Sequence, residues 1–116
     1  MLLNRWSIIA VCLFAFASSG QSQSEATTQA EKGFEAAASE LDAVYSMVLK
    51  RIKHPKLKKD VEAAQRAWIA YRDREAVARA GVSSQGGSAY SMDLLATRAE
   101  LTQERTLQLQ KLLKRL

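Results

Sequence analysis

Thiols, imidazoles and prolines are nearly missing from this chain: 116 residues hold one cysteine (Cys12), one histidine (His54) and one proline (Pro55). Each scarcity excludes something. A single thiol closes no disulfide within the chain, and a structural zinc cage needs several cysteine or histidine ligands. His54 would have to hold a metal with carboxylates alone; beside Pro55 it reads instead as a solvated residue at a helix end. The chain also lacks paired chemistry. Asp73 and Glu75 stand two residues apart and point in different directions on a helix. Glu100 and Glu104 share a face, but Arg105 and solvent account for them. Gly86-Gly87 has neither the lysine nor the spacing of a phosphate-binding loop. No nucleophile–base pair and no cofactor or metal site emerge, so the expectation is a binding protein and not an enzyme.

The N-terminus is the most apolar part. Arg5 precedes a run that includes Ile8, Ile9, Val11, Leu13, Phe14 and Phe16, and small or polar residues follow from Ala17 to Ser22. Charge, short apolar run and small residues in that order predict a secretory signal peptide over residues 1–20. The run is shorter than the roughly 20 residues of a membrane-spanning helix. Cys12 lies inside it, too early for lipidation at a cleavage point, so the mature chain has no cysteine. Cleavage removes only Arg5 among the charged residues and leaves 16 basic residues against 12 acidic ones, a net +4. The expected location is the bacterial periplasm or the medium. Export turns a basic balance away from nucleic acid and toward anionic envelope polymers, lipid head groups or acidic protein clefts.

Beyond a polar, flexible stretch at 21–27, apolar spacing predicts an all-α domain over residues 28–116: three helices in a small antiparallel bundle. The first covers residues 28–53, with Thr28 and Glu31 as a capping box and Phe34, Ala37, Leu41, Val44, Tyr45, Val48 and Ile52 on one face. Pro55 stops that helix and opens the next. The second ends near Ala80 at Gly81, carries Leu57, Val61, Ala64, Trp68, Tyr71 and Ala78, and leads into a loop from Val82 to Gly87. Ser88 or Ser91 caps the third, whose stripe is Leu94, Leu101, Arg105, Leu109, Leu112 and Leu113.

Three stretches carry a family resemblance. Glu40-Leu41-Asp42-Ala43-Val44-Tyr45 lies in the first helix and Gln65-Arg66-Ala67-Trp68-Ile69-Ala70-Tyr71-Arg72-Asp73 in the second. Glu100-Leu101-Thr102-Gln103-Glu104-Arg105-Thr106-Leu107-Gln108-Leu109 lies within the third, and Gly86-Gly87-Ser88 stands between the second and third. Together they resemble the N-terminal domain of LprI-type lysozyme inhibitors across nearly all of the mature chain. The resemblance implies a helical periplasmic or surface domain whose namesake activity is inhibition of lysozyme. Relatives usually carry cysteines near the end of the second helix and before the Leu-Thr-x-x-Arg motif. Here Val77 or Ala78 and Thr97 stand in those regions, so the bundle must hold by packing alone.

Three groups of residues are candidates for binding. Trp68, Tyr71 and Arg72 share a helix face, and such residues are either interface anchors or core, with Arg72 laid across the rings and paired to a carboxylate such as Glu75. Arg105 interrupts a leucine stripe and is either an interior ion-pair partner of Glu100, Glu104 or Glu75, or a site residue. Lys56, Lys58 and Lys59 sit at the start of the second helix, where the helix dipole disfavours cations. Lys50, Arg51 and Lys53 precede them, and an up-down-up bundle returns Lys111, Lys114 and Arg115 to the same end. Gly87 and Ser88 belong to the small polar loop that the resemblance marks. Two functions follow. One is occlusion of the carboxylate-lined cleft of a lysozyme-like muramidase; the other is an envelope-associated module that binds an anionic polymer or a protein partner.

Overall fold

The stripe of the first helix is the one the fold buries. In the computed structural model, which describes residues 23–116, Ala37, Leu41, Val44, Val48 and Ile52 are all buried, Val48 completely. Ala37, Leu41, Val44 and Val48 lie on α1 (Gln23–Arg51) and Ile52 directly follows it; α2 (Pro55–Ser84) and α3 (Tyr90–Leu113) come next, and no strand occurs among the described residues. Leu41, Val44, Val48 and Ile52 form one cluster with Leu109 of α3. Tyr45, Val61, Trp68, Leu112 and Leu113 pack against it. Burying a leucine or valine side chain stabilises by about 1.5–3 kcal/mol, so this cluster holds the bundle.

Residues 52–54 and 85–89 are the only links between helices among the described residues. Links that short make successive helices antiparallel, which leaves α1 and α3 parallel. The C-terminal ends of α1 and α3 therefore meet at the N-terminal end of α2, as the cluster of Ile52, Val61, Leu112 and Leu113 shows. The α3 backbone lies against both other helices, whereas α1 and α2 approach each other mainly through long side chains.

Boundaries differ from the sequence reading at four points. The first helix begins at Gln23, because Ser24, Glu25 and Ala26 continue it and an acidic residue suits its first turn. Thr28 is thus inside the helix, where its hydroxyl donates to the Ser24 carbonyl at 2.8 Å and forms no capping box. Helix α1 stops at Arg51, two residues short of Lys53. Gly81 does not end α2. The helix runs on to Ser84 and stops where Gln85 (φ 48°) and Gly86 (φ 75°) enter the left-handed region. Neither Ser88 nor Ser91 caps α3, whose N-cap is Ala89 without a side-chain hydrogen bond.

The α2 stripe is only half core. Val61 and Trp68 turn inward, but Leu57 is 45% and Tyr71 50% exposed, and Ala64 and Ala78 face solvent. With α3 as its one close neighbour, α2 buries a narrow arc made of Gln65, Ala76 and Ala80.

Candidate functional site

The sequence candidates fall into three places along the bundle. In the middle, Trp68 and Arg72 are one turn apart on α2. The Arg72 guanidinium lies 5.1 Å from the Phe34 ring centre on α1 and 5.3 Å from that of Trp68. It is thus held between two rings that belong to different helices, and its side chain is only 13% exposed. Its Nε donates to Asp73 Oδ1 at 3.0 Å, whereas Glu75, the partner expected from helical spacing, takes Arg79 at 2.8 Å. Arg98 of α3 approaches the same Asp73 oxygen at 3.5 Å, so one carboxylate serves two guanidiniums. The Nε of Arg98 is buried and makes no hydrogen bond.

Arg105 pairs with no carboxylate among the described residues. Its Nε donates to Gln65 Oε1 at 3.0 Å across the α2–α3 interface, and a terminal nitrogen donates to Gln108 Oε1 at 3.1 Å. Its guanidinium also lies 5.9 Å from the Trp68 ring centre. Glu100, Glu104 and Glu75 are therefore not its partners. An amide shares no net charge with the guanidinium, so burial pushes the Arg105 pKa down, uncompensated by an ion pair. Trp68 thus has two guanidiniums over its ring as part of the framework, and Tyr71 is exposed beside it.

The second place is the end where α1 and α3 finish and α2 begins. The stretch from Lys50 to Lys59 carries six cations and no carboxylate, and residues 111–116 add three more. All nine are exposed. Lys56 pairs with Asp60 at 3.0 Å and Lys53 donates to the Lys50 carbonyl at 3.2 Å. Lys58, Lys59, Lys111, Lys114 and Arg115 enter no ion pair among the described residues. The first turn of α2 has no acidic residue. Its N-cap is His54, whose Nδ1 accepts from the Leu57 N–H at 3.4 Å. His54 is thus the exposed helix-end residue expected from its place before Pro55.

The third place is the opposite end, where residues 85–88 are all exposed. The turn is fixed by backbone bonds: Gln85 N–H to Gly81 O at 2.9 Å, Gly87 N–H to Ser84 O at 2.8 Å, and Tyr90 N–H to Gly87 O at 3.2 Å. A Cβ on Gly87 would stand 2.9 Å from the Ser84 carbonyl oxygen, so only glycine fits there. Val82, 77% exposed, stands just before the turn. A helix of 30 residues at about 1.5 Å rise separates this tip from the cationic end by roughly 45 Å. Gly87 and Ser88 therefore cannot share one contact patch with Lys56, Lys58 and Lys59.

Among the described residues no group of histidine, cysteine and acidic side chains can hold a metal ion, and no helix is long and apolar enough to cross a membrane. The signal-peptide reading falls on residues outside the described ones.

Residues 15–109, most of the chain, match the family model for lysozyme inhibitor LprI. The chain belongs to the LprI family. That family is one of inhibitors by its description. Over 74 residues this LprI-family chain is 38% identical to an uncharacterized protein of Rhizobium meliloti (strain 1021). The match covers 64% of this chain and 46% of that relative, so the chain spans about half of the relative's length. No solved structure matches it.

Sequence reasoning missed Gln65, Phe34 as a cover for Arg72, and the Asp73–Arg98 approach. The Gln65–Arg105 bond joins residues 40 positions apart, and no helical spacing reveals it. Phe34 was readable as a core residue; its role as one wall of an arginine slot depends on how α1 and α2 face each other.

Proposed function

We propose that this protein inhibits a lysozyme-like muramidase by placing the tip at residues 85–88 in the enzyme's cleft. The observation that carries this reading is the family match over residues 15–109. The geometry of the tip supports it. Its residues carry no charge, its backbone is fixed by three hydrogen bonds and two left-handed residues, and Val82 offers an apolar contact beside it. A preordered tip loses little conformational freedom on binding. Electrostatics also favours this end: many lysozymes are basic, and a cationic pole would be repelled by them at long range. Signal-directed export to the envelope or medium would bring the protein to where such an enzyme acts.

The test is a cell-wall lysis assay with a muramidase titrated by the purified protein. Dose-dependent inhibition is expected from the natural sequence. Ser88→Arg with Val82→Lys should lose it without altering the melting curve. Lys56→Gln, Lys58→Gln and Lys59→Gln together should keep it. Inhibition that survives at the tip and vanishes at the pole would reverse the assignment of ends.

A further inference from the structure

The cationic end is left unexplained by inhibition at the tip. Cations at the C-terminal ends of α1 and α3 complement those helix dipoles, but Lys56, Lys58 and Lys59 oppose the dipole of α2. Among the described residues no carboxylate pairs with Lys58 or Lys59. Folding therefore gathers like charges where helix electrostatics disfavours part of them, and solubility would be served as well by charges spread over the bundle.

We infer that this end is a docking surface for an anionic lipid bilayer. Three observations favour a bilayer over a soluble polyanion or an acidic protein. First, the cations are mostly lysine, seven of the nine in residues 50–59 and 111–116. Lysine is a compact point charge suited to a diffuse anionic surface, whereas recognition of a particular carboxylate or phosphate favours the fork of arginine. Second, Leu57 and Leu116 are 45% and 46% exposed at the same end. Leucines within a ring of lysines give the surface an apolar contact that enters the head-group boundary while the cations stay among the phosphates. Third, among the described residues the aromatic rings nearest in sequence or packing to this end, Tyr45 and Trp68, pack against the core cluster and are not offered for stacking on a base. Clusters of four to eight basic residues are the common signature of attraction to anionic lipid. The inference stands independently of inhibition, because it uses the other end of the molecule.

Vesicle co-sedimentation tests it, with protein purified from the producing bacterium and two vesicle types: phosphatidylcholine alone, and phosphatidylcholine with phosphatidylglycerol. Binding to the neutral vesicles reads any contribution from apolar segments elsewhere. Partitioning is expected to be at least about tenfold stronger onto the anionic vesicles and to fall as salt shortens the Debye length from about 10 Å to 3 Å. Lys56→Gln, Lys58→Gln and Lys59→Gln together should remove most of the excess. Leu57→Ser should weaken vesicle binding while leaving retention on a soluble polyglutamate column unchanged. Melting curves confirm that both variants fold. Equal binding to the two vesicle types overturns the proposal. So does a Leu57→Ser variant that binds vesicles as well as the natural protein while soluble polyglutamate competes fully, since the surface would then serve a soluble polyanion.

Discussion

Arg105 shows how a residue's chemistry depends on a partner from another helix. On the helical wheel its neighbours are glutamates, and if one of them paired with it inside the bundle, removing the arginine would strand a carboxylate and cost about 3 kcal/mol or more. Its partner is instead the buried amide of Gln65, 5% exposed. Arg105→Ala should therefore cost about 1–3 kcal/mol, the range for leaving one buried polar group unsatisfied, as read in a urea melt. A loss within about 0.5 kcal/mol would place Arg105 on the binding surface instead. Arg72 differs, since removing it vacates a slot between two rings and leaves Asp73 to Arg98. Its loss should be of similar size, about 1–2 kcal/mol, mostly packing and cation–π contact. Tyr45 gives a pH signal. Burial, then Glu62, raise its phenol pKa above 10.0. A group whose folded pKa is raised keeps its stabilising part below the unfolded value and loses it as pH rises past that value. Stability should therefore fall above about pH 10, and Tyr45→Phe should make that alkaline decline shallower.

Helix ends separate what was legible from what was not. The α1 stripe and the Pro55 start of α2 could be read because each rests on local rules, side-chain period and the missing proline N–H. Gly81 misled. It is a helix breaker only weakly, at about 1 kcal/mol relative to alanine, and the stop three residues later depends on Gln85 entering a conformation that non-glycine residues seldom adopt. Thr28 misled because capping boxes are common motifs and nothing in Thr-x-x-Glu says whether the helix has already begun. The cationic pole and the loop at the other end were legible, because an up-down-up chain direction places them. The middle was not, because it follows from long-range contacts such as Phe34 with Arg72 and Gln65 with Arg105. Two substitutions probe the ends. His54→Ala removes the ring acceptor at the start of α2 and should destabilise by about 0.5–1 kcal/mol. Gly87→Ala forces a Cβ toward the Ser84 carbonyl and should lower the melting temperature more than Gly81→Ala, which meets open space. Equal effects would mean that the turn adapts freely.

At the scale of the whole molecule, two ends carry different chemistry on one rod of helices. The tip is uncharged and the pole strongly basic, with roughly 45 Å of α2 between them. If the tip fills a muramidase cleft and the pole rests on anionic lipid, the two events use surfaces that do not overlap and should not compete. Mass spectrometry of exported material should first show an N-terminus between Ser18 and Gln23, which leaves α1 whole. Protein so processed, prebound to phosphatidylglycerol-containing vesicles, should then inhibit a muramidase with the same dose dependence as protein free in solution. Saturation with the enzyme should in turn leave vesicle binding intact, because linkage between two binding events is reciprocal and here should be near zero. The measurement is sharp because each failure has its own direction. Inhibition lost on vesicles would mean that the enzyme and the lipid compete for the lysine end. Inhibition strengthened on vesicles would mean that the bilayer gathers the basic enzyme beside the tip, an effect that added salt should erase.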